Sequence, residues 1–143
     1  MINLVIGSKG SGKTKWLIEQ ANTEKDKGNE NIVFVDSDND QIYSLDYKVR
    51  LIDASDFYIN DIKSFIGFIA GILARDFDIG KVYLDGIYNL FDINKNNINE
   101  LVEGLEKLSK ECETDIYLGL NWTKEYVPES LDVEIFETKE LYQ

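Results

Sequence analysis

The stretch Ile2-Asn3-Leu4-Val5-Ile6-Gly7-Ser8-Lys9-Gly10-Ser11-Gly12-Lys13-Thr14 decides how this chain is read. Its opening run, Ile2 to Ile6, is mostly apolar and β-type, and it stops abruptly at Gly7. From Lys13 to Lys25 (KTKWLIEQANTEK) the residues read as helix, fading before Lys27-Gly28-Asn29, where glycine suits a C-terminal turn. Between strand and helix, Gly7, Gly12, Lys13 and Thr14 complete the pattern G-x-x-x-x-G-K-[ST]. With glycine at about 7% of residues, a random chain of this length would carry that pattern well under one time in about a hundred.

The residue types match a loop that cradles phosphates. Backbone N–H groups must converge on the oxygens, and side chains at Gly7, Gly10 and Gly12 would obstruct them. Ser8, Lys9 and Ser11 complete the loop, and Lys9 can reach a phosphate of its own site or of a neighbouring subunit. The helix starting near Lys13 aims its positive end at the same place. Lys13 supplies a point charge for the β and γ phosphates, and the Thr14 hydroxyl is a hard oxygen ligand for Mg²⁺. The expected cofactors are ATP and Mg²⁺. A guanine-reading Asn-Lys-x-Asp motif is missing, because Asn94-Lys95-Asn96-Asn97 fails at the aspartate, and this favours ATP over GTP.

Further along, Asn31–Asp36 (NIVFVD) is a second strand, an unbroken apolar run of the kind buried on both faces. Val49–Asp53 is a weaker strand. A helical pattern follows from about Ser55 to Ala74, with Gly67 and Gly71 expected to leave one face flat for close packing. Lys81–Asp85, Asp115–Leu120 and Val133–Phe136 are further strands, the last after the single proline, Pro128. Asn97 with Glu100 reads as a capping box for a helix whose Ile98, Leu101, Val102, Leu105 and Leu108 share a face. Strands alternating with helices, with no linker or repeat, predict one α/β domain over residues 1–143, a three-layer P-loop NTPase fold with a mostly parallel central sheet.

A phosphate-binding loop needs a carboxylate on a neighbouring strand. Asp85, after Val82-Tyr83-Leu84, is the expected partner of the magnesium alongside Thr14. The next residue is Gly86, where many such ATPases carry the glutamate that polarises the attacking water. Asp36, at the end of the second strand, is the nearest substitute by topology, because strand C-termini line the ligand crevice. Asp36, Asp38 and Asp40 begin like a calcium loop, but Gln41 and Tyr47 stand where that loop needs Gly and Glu. Asn121 occupies the place of a γ-phosphate sensor, with Lys124 just beyond. Trp16 and Trp122 could stack on a base, though Trp16 sits beside Leu17 and reads as core.

Composition narrows the partners. With 15 basic and 27 acidic residues the formal net charge is −12, which repels phosphate backbones and anionic lipids. No direct nucleic-acid partner is expected, and the longest apolar run, Phe65–Ala74, is about half of what crosses a membrane. A single cysteine, Cys112, marks no oxidising compartment, and with no histidine to activate it reads as a small helical residue. The expectation is a cytoplasmic protein whose partners are a nucleotide and an unidentified protein, with a homo-oligomer allowed.

GSKGSGKT, the strand NIVFVD with its acidic loop and VRLID, the Asp85 strand, and Asn121 after the next strand together resemble the additional-strand P-loop ATPases of RecA, HerA–FtsK and twitching-motility type. The chain looks closest to small stand-alone bacterial ATP-binding proteins with that core. The resemblance implies a sheet in which DIYLGL separates the Asp85 strand from the P-loop strand, with ATP and Mg²⁺ at its C-terminal edge; the residues themselves offer Lys13, Asp85, Asp36 and Asn121 as the catalytic candidates. It departs from the pattern at Gly86 and in having only Arg50 and Arg75 to serve as fingers. A slow ATPase or nucleotide-dependent switch is therefore expected. The alternatives are a small-molecule phosphotransferase and a non-hydrolysing nucleotide-binding interaction module.

Overall fold

A computed structural model of the chain describes residues 1–28, 31–38, 44–76 and 78–142. The apolar runs form the strands β1 (Ile2–Ile6), β2 (Asn31–Asp36), β3 (Arg50–Asp53), β4 (Ile79–Leu84), β5 (Asp115–Leu120) and β6 (Glu134–Glu137). The helices are α1 (Lys13–Asp26), α2 (Ile62–Arg75), α3 (Ile98–Cys112) and the short α4 (Thr138–Leu141). All neighbouring strands pair in parallel, in the order β3-β2-β4-β5-β1-β6. The fold is the expected three-layer α/β arrangement, and β5 lies between β1 and β4.

Alternation along each strand feeds two cores. Ile2, Leu4 and Ile6 of β1, Val33 and Val35 of β2, Val82 and Leu84 of β4, and Ile116, Leu118 and Leu120 of β5 point to one face. There they meet Phe65, Ile69 and Leu73 of α2 and Ile98, Leu101 and Leu105 of α3. The intervening residues Val5, Ile32, Phe34 and Tyr83 face Trp16, Leu17, Ile18 and Ala21 of α1. Side chains as large as these contribute about 1.5–3 kcal/mol each when removed from water. Beneath α1 an aromatic ladder follows the strand register: Phe34 stacks with Tyr83, Tyr83 with Tyr117, and Trp16 closes against Tyr117 and Phe136. Trp16 is thus core.

Three local expectations are corrected. The helical pattern from Ser55 splits into a 3₁₀ turn, Ala54–Phe57, and α2 beginning at Ile62. Asp61 starts α2 through a capping box, accepting from the Ser64 amide while the Ser64 hydroxyl faces back. Asn97 makes no capping box with Glu100. Its side chain accepts from the Asn94 amide and donates to the Asp92 carbonyl, so it braces the preceding turn instead.

Gly67 and Gly71 do not mark a close contact either, since a Cβ at either position would meet nothing within 4 Å. The glycine that does is Gly104 of α3, where a Cβ would fall 2.8 Å from Ile66 Cδ1. Gly67→Ala and Gly71→Ala are therefore expected to stabilise the protein by about 0.5–1 kcal/mol each, by lowering unfolded-state entropy in an open helix position. Chemical denaturation checks this. A loss of stability in either variant would mean that these glycines contact something after all.

Candidate functional site

The loop Gly7–Gly12 leaves the C-terminal end of β1 and turns into α1. Two of its glycines have positive φ, Gly10 at 80° and Gly12 at 104°, a region that side chains make costly. Gly7 is fixed by crowding: a Cβ there would lie 2.1 Å from Thr138 Oγ1 and 2.4 Å from Ser11 Oγ. The Ser11 amide donates to the Ser8 carbonyl at 3.0 Å, and Thr138 bonds Ser11 Oγ at 2.8 Å. The segment after β6 thereby buttresses the loop.

Lys13 folds back over this loop, donating to the Gly7 carbonyl at 3.1 Å and the Ser8 carbonyl at 2.9 Å. Burial lowers its pKa, with the negative charge of Asp85 opposing. Thr14 Oγ1 donates to Asp85 Oδ2 at 2.8 Å, joining residues 71 positions apart. Asp85 itself is 5% exposed, and burial raises its pKa against the Thr14 bond. The two expected magnesium partners are therefore in contact. Their hydroxyl and carboxylate are the hard oxygen donors that Mg²⁺ takes.

Asp36 ends β2 beside Asp85. Its Oδ1 accepts from the amides of Ser37 at 2.7 Å and Asp38 at 3.4 Å. Burial, then the charges of Asp85 and Asp38, push it from 3.8 to about 7. In the ligand-free protein this has a signed consequence. Between about pH 4 and 7 the folded state holds a proton that the unfolded chain has released, so stability falls as pH rises through that window. Two backbone amides that bond its charged form offset part of the burial, and the expected loss is about 2 kcal/mol, near half of what the full shift would give. Melting curves without Mg²⁺ at pH 5 and pH 8 should show the drop, and Asp36→Asn should make it shallower; equal slopes in both proteins would contradict this.

Gly86 explains the missing glutamate in structural terms. Its φ is 68°, and a Cβ would lie 2.5 Å from Ser37 Oγ and 3.3 Å from Asp36 Oδ1. The position is closed to a side chain. Asn89 Nδ2, one turn on, donates to Ser37 Oγ at 3.1 Å and holds the Asp36 and Asp85 loops together.

A cavity of about 580 Å³ lies over the loop, lined by Lys9, Gly10, Gly12, Lys13, Thr14, Tyr88 and Asn121, and continuing along α1 past Lys15, Ile18 and Glu19. That is room for a nucleotide. Lys9 and Asn121 thus line the cavity, and Asp36 stands at the neighbouring strand end. Tyr88 was not foreseen. It follows Gly86 in an irregular segment, shares a hydrogen bond with Asn121, and is raised in pKa by burial, so its hydroxyl stays protonated. Trp122 does not enter this cavity; it packs edge-on against Tyr126, with Lys124, around a separate hollow beyond Ser8 and Ser11. Of the acidic loop, Asp38 is exposed, and Asp40 and Gln41 lie outside the described residues. No helix among the described residues is long and apolar enough to cross a membrane. Comparison with models of known protein families and with curated proteins gives no match, so what the chain does is argued from this geometry.

Proposed function

We propose that the chain binds Mg²⁺–ATP at Gly7–Thr14 and acts as a slow ATPase or nucleotide-dependent switch. The observation that carries this reading is the 2.8 Å bond between Thr14 and Asp85, which joins the loop to the one strand-end acid expected to serve it. Magnesium would be held by Thr14 and Asp85, and when bound it neutralises charge on the β and γ oxygens. The loop amides and the start of α1 bind the phosphates, and Lys13 exchanges two carbonyl partners for phosphate oxygens. Asn121 and the protonated Tyr88 stand together in the same cavity as donors for the terminal phosphate.

Slow turnover follows from what surrounds the acids. Position 86 carries no carboxylate to polarise an attacking water, which leaves Asp36, at the end of the neighbouring strand, as the base nearest Asp85 by topology. Asp36, Asp85 and Asn121 follow from the C-terminal ends of neighbouring parallel strands, an arrangement that suits a reader of the γ-phosphate.

Mg²⁺–ATP should raise the melting temperature, and phosphate release should be slow and Mg²⁺-dependent. A shift without release reduces the function to a switch or binding module. ATP consumption only with one added metabolite turns the reading to a phosphotransferase. No shift with any nucleoside triphosphate overturns it.

A further inference from the structure

We propose that the nucleotide's base stacks on the ring of Tyr142, so that the segment after β6 is part of the nucleotide site; this rests on the phosphate-binding role of Gly7–Thr14. Tyr142 lies against the loop itself. Its Cε2 and Cδ2 are 3.0 and 3.1 Å from where a Gly12 Cβ would be, so any other residue at position 12 would push the ring away. The ring is 40% exposed. Its hydroxyl donates to Glu19 Oε2 at 3.1 Å, about two turns down α1 from the loop, and its amide donates to the Thr138 carbonyl at 3.1 Å. Thr138 is tied in turn to Ser11 and to the Ile6 carbonyl. The residue is thus tied to the loop at its backbone end and to α1 at its hydroxyl.

The direction of the phosphate chain singles out this ring. Lys13 and Thr14 take the β and γ end, so the α-phosphate and sugar leave past the next residue, Lys15. The Lys15 ammonium sits 5.0 Å over the centroid of Tyr142, and among the described residues its ion pair is a long one, with Glu19 at 4.0 Å. A loosely held cation covers an aromatic face where a base would emerge. A phosphate draws that cation off the ring, and the base takes its place on the exposed face. Tyrosine serves here because stacking needs only a π-face and holds any base. Trp122, the aromatic that the sequence offered for this role, packs edge-on against Tyr126 at a hollow that Tyr142 also lines, but it is over Tyr142 that the Lys15 ammonium sits.

The test compares a ligand with a base and one without. Mg²⁺–ATP and Mg²⁺–tripolyphosphate are titrated calorimetrically into wild type, Tyr142→Phe and Tyr142→Ala. Tyr142→Ala should weaken ATP by roughly tenfold or more, while tripolyphosphate affinity stays within about twofold and shows that the loop is intact. Tyr142→Phe should keep ATP affinity near wild type. Equal weakening of both ligands would mean that the ring only supports the loop, and unchanged ATP affinity would place the base elsewhere. Either result overturns the stacking proposal but leaves the phosphate site standing. Binding of neither ligand by wild type would overturn both.

Discussion

Alanine at position 13 is expected to weaken Mg²⁺–ATP binding by about a hundredfold while leaving the melting temperature of the ligand-free protein nearly unchanged. Lys13 is 5% exposed, and its pKa is lowered because burial penalises its charge. Without ligand it bonds the carbonyls of Gly7 and Ser8. Removing it frees two acceptors at a loop whose Ser8 and Gly10 are already exposed, so water replaces the lost donor. It also ends the cost of holding a cation out of water, and the two effects offset. With ATP bound nothing offsets the loss. A charged donor on phosphate contributes about 1.5–3 kcal/mol per bond, and a loss near 3 kcal/mol corresponds to about a hundredfold in Kd. Titration calorimetry and melting curves on the same preparation check both halves. Undiminished ATP affinity in Lys13→Ala would remove the loop from the binding site altogether.

Placing glutamate at position 86 should not restore fast hydrolysis; it should destabilise the protein by about 3 kcal/mol, or lower its melting temperature by about 10 °C. Left-handed backbone costs a side-chain-bearing residue about 1–2 kcal/mol, and Gly86 has φ of 68°. A Cβ would press on Ser37 Oγ at 2.5 Å, and that hydroxyl accepts from Asn89. The new carboxylate would then sit beside Asp36 and Asp85, both already raised in pKa by burial. Gly86→Ala isolates the backbone share, since it adds the Cβ without the charge. A Gly86→Glu protein that melts like wild type and hydrolyses ATP faster would show that the loop has room the present geometry denies.

The features legible in the sequence are those carried by contiguous residues. G-x-x-x-x-G-K-[ST] between an apolar run and a helical one names its own loop, because the backbone it needs is local. Apolar runs located the six strands among the described residues to within a few positions; burial on both faces leaves a continuous signal in β1 and β2, and a weaker one in the partly exposed edge strands β3 and β6. The start of α2 was misplaced because the 3₁₀ turn at Ala54–Phe57 has nearly the same period as a helix, and only the Asp61–Ser64 cap separates them. Asn97 has cap chemistry, but whether its amide faces forward to the helix or back to Asp92 depends on the turn around it.

Side-chain convergence from distant segments was the tertiary structure's to decide. The absence of glutamate at 86 is visible in the sequence, yet its cause lies in Ser37 and Asp36, which parallel pairing of β2 with β4 brings alongside. Tyr88 carries no motif, and it joins Asn121 only because β4 and β5 are neighbours. Tyr142 reaches Gly12 because β6 pairs with β1 and delivers the following segment to the loop. The sequence by itself determined the glycine loop between strand and helix and the layered sheet, since these follow from spacing and from alternating burial. Which acids, phenols and rings surround that loop was set by strand order, because the contacts that make a site run across the sheet and not along the chain.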